Sequence, residues 1–205
     1  MNGQHSFFLR GMMNFMDFDE MLGSDFDNGL KKLKELVETD ETLTETDQRA
    51  EPELVNREKM DCICIHDTTN MENLSNMFSQ SFMKLGIYLA STGSEMAGQP
   101  FALYFGPWSE EKIILSACFP LSGKVKGDEE IDFVEIPAGD YLFMSHFGAY
   151  ENLGDTHESI ENYAAANNLQ LGGFCIEQYI SDPMSTADTA DWRTDIMYPT
   201  GELNL

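Results

Sequence analysis

Two stretches of this chain, Met60 to Pro120 and Asp140 to Pro199, carry one pattern in duplicate, and that repeat constrains the fold more than any other feature. Each copy opens on an apolar run that ends in a histidine, His66 in the first and His146 in the second. Glu72-Asn73-Leu74 follows in one copy and Glu151-Asn152-Leu153 in the other. A helical pattern comes next. Leu74, Met77, Phe78, Phe82, Leu85 and Leu89 recur at three- and four-residue steps, as do Leu153, His157, Ile160 and Ala164. Turn signals close the helices at Thr92-Gly93 and Asn167-Asn168. A second strand then runs from Ala97 to Tyr104 and from Gly172 to Tyr179, with Gly98 and Tyr104 repeated 75 positions later as Gly173 and Tyr179. Each copy ends in a strand closed by proline, Leu115 to Pro120 and Thr194 to Pro199.

Each unit therefore reads strand-helix-strand-strand. Two such units predict one α+β domain over residues 54–205. Its sheet is mostly antiparallel, its helices lie on one face, and a ligand cleft falls on a pseudo-two-fold axis. Ile131 to Pro137 alternates apolar and polar residues, as an exposed strand joining the halves would.

The remaining segments differ in composition. Residues 1–38 read as helical and rich in Met and Phe, with Phe7, Phe8, Met12, Met13, Phe15, Met16 and Phe18 close together. Such a surface must be covered by this chain or by a partner, and pairing of two copies through it is one solution. Residues 39–53 are acidic and nearly free of hydrophobes, the signature of a solvated linker. The whole chain has 36 Asp and Glu against 12 Lys and Arg, a net charge of −24. That balance repels phosphate backbones and anionic bilayers, so neither nucleic acid nor membrane is an expected partner. No apolar run is long enough to span a bilayer.

The four cysteines are Cys62, Cys64, Cys118 and Cys175. Cys62-Ile63-Cys64-Ile65-His66 does not have zinc-knuckle spacing, so no metal or cofactor is implied. The expectation is four free, buried thiols in a reducing, cytoplasmic setting.

A family resemblance rests on Ile136-Pro137-Ala138-Gly139-Asp140-Tyr141, His146-Phe147-Gly148-Ala149-Tyr150-Glu151, Glu177-Gln178-Tyr179-Ile180-Ser181-Asp182-Pro183 and Thr194 to Pro199. In their order and spacing these resemble the GyrI-like small-molecule-binding domain, the effector-binding module of multidrug-sensing regulators. Met16 to Glu38 resembles the terminal helix of a START-like (SRPBCC) domain, which often precedes a GyrI-like domain. The chain departs from the pattern in places. Gly148-Ala149-Tyr150-Glu151 stands for the usual Gly-Pro-Tyr-Glu, Gly172-Gly173-Phe174 for Gly-Pro-Pro, and Ser116 for a common acid.

Glu177 is the candidate site residue. On a strand, Cys175, Glu177 and Tyr179 share one face, and Phe174 and Ile176 share the other with Ile180. The apolar set is expected to meet the helices, leaving Glu177 facing outward or into the cleft. Repeat symmetry places Tyr104 beside Tyr179 there, with Trp192, Tyr150 and Trp108 as walls. A carboxylate among rings is costly to desolvate, and a lipophilic cation offsets that cost by charge neutralisation and cation–π contact. The resemblance implies the same assignment, because an acid at this place contacts cationic aromatic ligands in drug-sensing relatives. It also implies two alternatives. One is hydrolysis of strained small-molecule toxins, with Glu177 as general base and Tyr179 or Tyr150 as proton donor. The other is a gyrase-directed inhibitory contact through the acidic surface.

Overall fold

The computed structural model describes residues 51–109, 111–181, 186–201, 203 and 205. The expectations for residues 1–38, including pairing through them, and for most of the 39–53 linker lie outside these residues. The linker expectation ends one residue too late. Glu53 already begins the first strand, β1 (Glu53–Arg57), which the sequence pattern does not announce.

The chain continues as β2 (Met60–Thr69), α1 (Leu74–Thr92), β3 (Phe101–Ser109) and β4 (Lys112–Pro120). After β5 (Asp132–Ile136) come β6 (Gly139–Phe147), α2 (Leu153–Ala166), β7 (Phe174–Tyr179) and β8 (Arg193–Pro199). Strand-helix-strand-strand thus occurs twice in the element order. The third element of each series starts later than the sequence suggests, at Phe101 and Phe174. Met96 and Leu171 before them make only isolated bridges, to Leu121 and Thr200.

All eight strands form one antiparallel sheet, ordered β1-β6-β8-β7-β3-β4-β2-β5. With β3 and β7 in the middle, the order from the centre outward is β3-β4-β2-β5 on one side and β7-β8-β6-β1 on the other. The central ladder sets Ala102 opposite Glu177 and Leu103 opposite Ile176.

Both helices cover one side of the sheet. α1 buries Leu74, Met77, Phe78, Leu85 and Leu89, and α2 buries Leu153, His157, Ile160 and Ala164. These are the periodic positions of the sequence; Phe82 is only partly buried, yet packs against the same core. α1 stops at Gly93, whose φ of 67° is the left-handed geometry that glycine adopts without a Cβ clash; its N–H bonds Leu89 O. No helix among the described residues is long and apolar enough to cross a membrane.

The helix-facing side of the sheet carries Ala102, Tyr104, Leu115, Ala117, Leu142, Met144, Cys175 and Tyr198. The other side curls on itself around Cys62, Cys64, Phe101, Leu103, Cys118, Tyr141, Phe174, Ile176 and Met197. Two expectations fall here. Phe174 and Ile176 do not meet the helices; Cys175 and Glu177 do. Because the sheet is curled, both faces of β7 are covered, so apolar alternation does not mark the helix side. The four cysteines are also not all free. Cys64 and Cys118 lie directly opposite each other on β2 and β4 and form a disulfide, leaving Cys62 and Cys175 as free thiols.

A carboxylate and its rings beneath the helices

Glu177 sits near the middle of the sheet on β7 with 0% of its surface exposed. A carboxylate that deep needs partners. His157, on the inward face of α2, sets Nε2 at 2.9 Å from Glu177 Oε1. Its other nitrogen, Nδ1, lies 2.9 Å from the Tyr198 hydroxyl on β8. Tyr179 donates its hydroxyl to Glu177 Oε2 at 3.3 Å, and the Tyr104 and Tyr179 hydroxyls are 3.4 Å apart. The result is one buried chain of polar atoms, Tyr104–Tyr179–Glu177–His157–Tyr198. Burial first, and then the charge of Glu177, hold the Tyr104 and Tyr179 hydroxyls well above the usual phenol range. Burial does the same to the Cys175 thiol beside them.

Rings close around this chain. Phe78 of α1 meets Tyr179 edge-on at 6.1 Å, and Tyr150 does so at 6.3 Å. Tyr150 opens the 3-10 turn before α2, and its ring lies 5.1 Å from that of Trp192. Trp192 is fixed by its indole N–H, which donates to Thr186 O at 2.8 Å. Tyr104, Tyr179, Tyr150 and Trp192 are therefore brought together with Glu177. Trp108 lies in β3, and its side chain is outside the described residues.

His157 is the site residue that sequence reasoning missed. By spacing alone it is one more position of an apolar helix face. The available signal was its polarity at a periodic position between Leu153 and Ile160. His146 and His66 have other roles, and His66 does not end its strand, since β2 runs on to Thr69. His146 is buried, with Nδ1 2.9 Å from Thr156 Oγ1 and Nε2 3.1 Å from Ala149 O in the turn. His66 Nδ1 lies 2.5 Å from Ser116 Oγ.

A cavity of about 460 Å³ opens at the start of α1, lined by Asp67, Thr69, Asn70, Asn73, Met77 and Gln80. It is polar and does not include Glu177, but Met77 belongs both to its wall and to the helix-facing core.

By architecture this is an α+β domain with two helices over a curled antiparallel sheet and a polar chain sunk between them. The chain belongs to the GyrI-like small molecule binding domain family, whose model matches residues 50–200. Solved structures share the fold at low identity. The EcmrR C-terminal domain superposes with a TM-score of 0.62 at 19% identity, covering 74% of this chain and 98% of that one. EcmrR in its complex with DNA gives 0.67 at 17% identity; the match covers 87% of this chain and 66% of that chain's length. SAV2435 bound to tetraphenylphosphonium gives 0.53 at 14% identity, over 74% and 94% of the two chains. A hydrolase from Listeria innocua gives 0.55 at 13% identity, over 83% and 98%. No curated protein matches the chain.

Proposed function

We propose that this domain binds a hydrophobic, aromatic cation between its helices and its sheet, with Glu177 as the countercharge. The observation that carries this reading is a fully buried carboxylate ringed by Tyr104, Tyr179, Tyr150 and Trp192. A cation placed there would gain charge neutralisation and about 0.5–2 kcal/mol for each ring face it meets. His157 now occupies the place beside Glu177 that the cationic centre would take. Binding then requires α2 to shift and His157 to release Oε1. The cavity at the start of α1 is the proposed entry, because Met77 belongs both to its wall and to the core cluster that holds the rings. Ligand-bound SAV2435 supports a cationic ligand class for this fold.

The strand order supports a duplicated origin with a pseudo-two-fold axis at the centre of the sheet. Ala102 and Glu177, counterparts by the 75-residue repeat, are paired directly across β3 and β7. Only one of the two positions is acidic, so the site carries a single charge on that axis.

Titration with tetraphenylphosphonium tests the reading. Wild-type protein should show saturable binding, and Glu177→Gln, which keeps the shape and can still hydrogen-bond to His157, should lose it. Equal affinity in the two proteins would sink the proposal. A hydrolytic reading draws on the same Glu177–His157 pair, which could hold a proton for transfer to or from water. It requires turnover that Glu177→Gln abolishes, whereas pure binding requires none.

A further inference from the structure

The face of the sheet turned away from the helices holds a second cluster that the ligand reading does not use. Cys62 and Cys64 lie two apart on β2 and so point the same way, and Cys118 on β4 is the direct partner of Cys64. All three are 0% exposed. Their sulfurs all lie within 4.8 Å of one another, and Cys62 Sγ is 3.7 Å from Cys64 Sγ. A disulfide needs two of these residues. The third, Cys62, is left at ligand distance with its thiol donating to Val134 O at 3.1 Å.

We propose that, once the Cys64–Cys118 bond is reduced, these three thiols form a pre-set trigonal site for a thiophilic ion, with a trivalent metalloid such as As(III) as the favoured occupant. Geometry gives the first reason. With metal–sulfur bonds of about 2.3 Å and the pyramidal angles of three-coordinate As(III), about 95–100°, the sulfur–sulfur edge is about 3.4–3.5 Å, close to the 3.7 Å between Cys62 Sγ and Cys64 Sγ. Cys118 only has to draw back from Cys64 across its own ladder. Ligand softness gives the second, since thiolates select soft ions over Mg²⁺ or Ca²⁺. Charge gives the third. The three cysteines belong to one buried apolar cluster with Phe101, Leu103, Ile136, Phe174 and Ile176. Three thiolates around a monovalent or divalent ion would leave net negative charge in this dry setting, which is costly, whereas a trivalent centre leaves none.

The chemistry balances without a charged species crossing the core. A dithiol supplies two electrons and two protons to the Cys64–Cys118 bond and leaves as its own disulfide. Arsenous acid, As(OH)₃, then reacts with three thiols. Three S–H and three As–O bonds break, three As–S and three O–H bonds form, and three waters leave with no change in oxidation state. Access follows from topology. β5, which carries Val134, is the outermost strand beside β2, so opening that edge exposes Cys62 while the central strands stay paired.

The test uses the full chain, reduced with a phosphine and kept anaerobic, titrated with sodium arsenite. Native mass spectrometry and the ultraviolet sulfur-to-arsenic absorption report binding. One arsenic per chain is expected in wild type and in Cys175→Ser, with none taken up by oxidised protein. Cys62→Ser and Cys62→Ala should each bind at least about tenfold more weakly, with circular dichroism showing an unchanged fold. Wild-type affinity in the folded Cys62 variants overturns the site. So does a reduced wild-type protein that takes up no arsenic, or one that unfolds on reduction.

Discussion

The two halves of the domain place different chemistry on the same frame. In the first half, α1 lays Phe78 over the sheet and β3 puts Ala102 at its centre. In the second, α2 lays His157 at the position matching Phe78, and β7 puts Glu177 opposite Ala102. Both pairs are buried; Phe78 meets the ring of Tyr179, and His157 bonds Glu177. The difference shows where symmetry stops. One half supplies an apolar wall, and the other supplies the charge together with its internal partner. The largest expected effect comes from making the halves alike. Ala102→Glu would set a second carboxylate directly across the ladder from Glu177, with no Lys or Arg among the described buried residues to pair with it. The cost of a buried, unpaired charge is several kcal/mol, enough to consume most of a domain's stability. Urea unfolding should show a variant with no cooperative native baseline. Wild-type stability would mean that this face is open to water, and the contrast between the halves would collapse.

Removing one wall residue from each half sharpens the comparison. Phe78→Ala and His157→Ala should each cost about 3–5 kcal/mol in urea unfolding, the first by leaving a cavity and the second by stranding Glu177. Their effects on a cation should then diverge. Phe78→Ala removes a ring and weakens tetraphenylphosphonium binding. His157→Ala removes the competitor for Glu177, and binding should tighten by about tenfold, equivalent to about 1.4 kcal/mol. The two are separated by titration at a protein concentration and temperature where both remain folded. Weaker binding in His157→Ala would show that the histidine helps hold the ligand.

Pairing tests the origin of the stability loss. In a double-mutant cycle, His157→Phe with Glu177→Gln should cost less than the sum of the single changes, because the pair leaves together. Additive costs would mean that His157 and Glu177 do not act on each other in the folded chain.

The sequence carried the frame well and the orientation poorly. Helix periodicity marks the buried positions of α1 and α2, because a helix on a sheet buries one stripe and wets the other. The repeat put Tyr104 beside Tyr179. β7 defeated the same logic, since both of its faces are covered and its polar residues are satisfied inside the core. The pairing of Glu177 with His157 was not legible for a related reason. His157 is twenty residues away in sequence and belongs to a helix whose tilt over the sheet no local pattern specifies. The cysteines show the limit from another side. Spacing along β2 reveals that Cys62 and Cys64 share a face, but only the β2–β4 register brings Cys118 to them.

The smallest effect separates His66 and His146, the histidines of β2 and β6. His66 keeps 46% of its side chain exposed, whereas His146 is buried under α2 against Thr156 and Ala149. Burial holds the His146 pKa below the usual 6.5, and the Ala149 carbonyl opposes that shift only in part. The unfolded chain therefore takes up its proton first as the pH falls. Stability supplied by neutral His146 is complete above about pH 6.5 and declines below it, until the folded form is protonated too. The slope cannot exceed about 1.4 kcal/mol per pH unit for one group. Urea midpoints between pH 7.5 and 5.5 should fall for wild type and fall less steeply for His146→Gln, whatever the variant's starting stability. Parallel slopes would place the acid sensitivity elsewhere, and the contrast between the buried and the exposed histidine would have no energetic consequence.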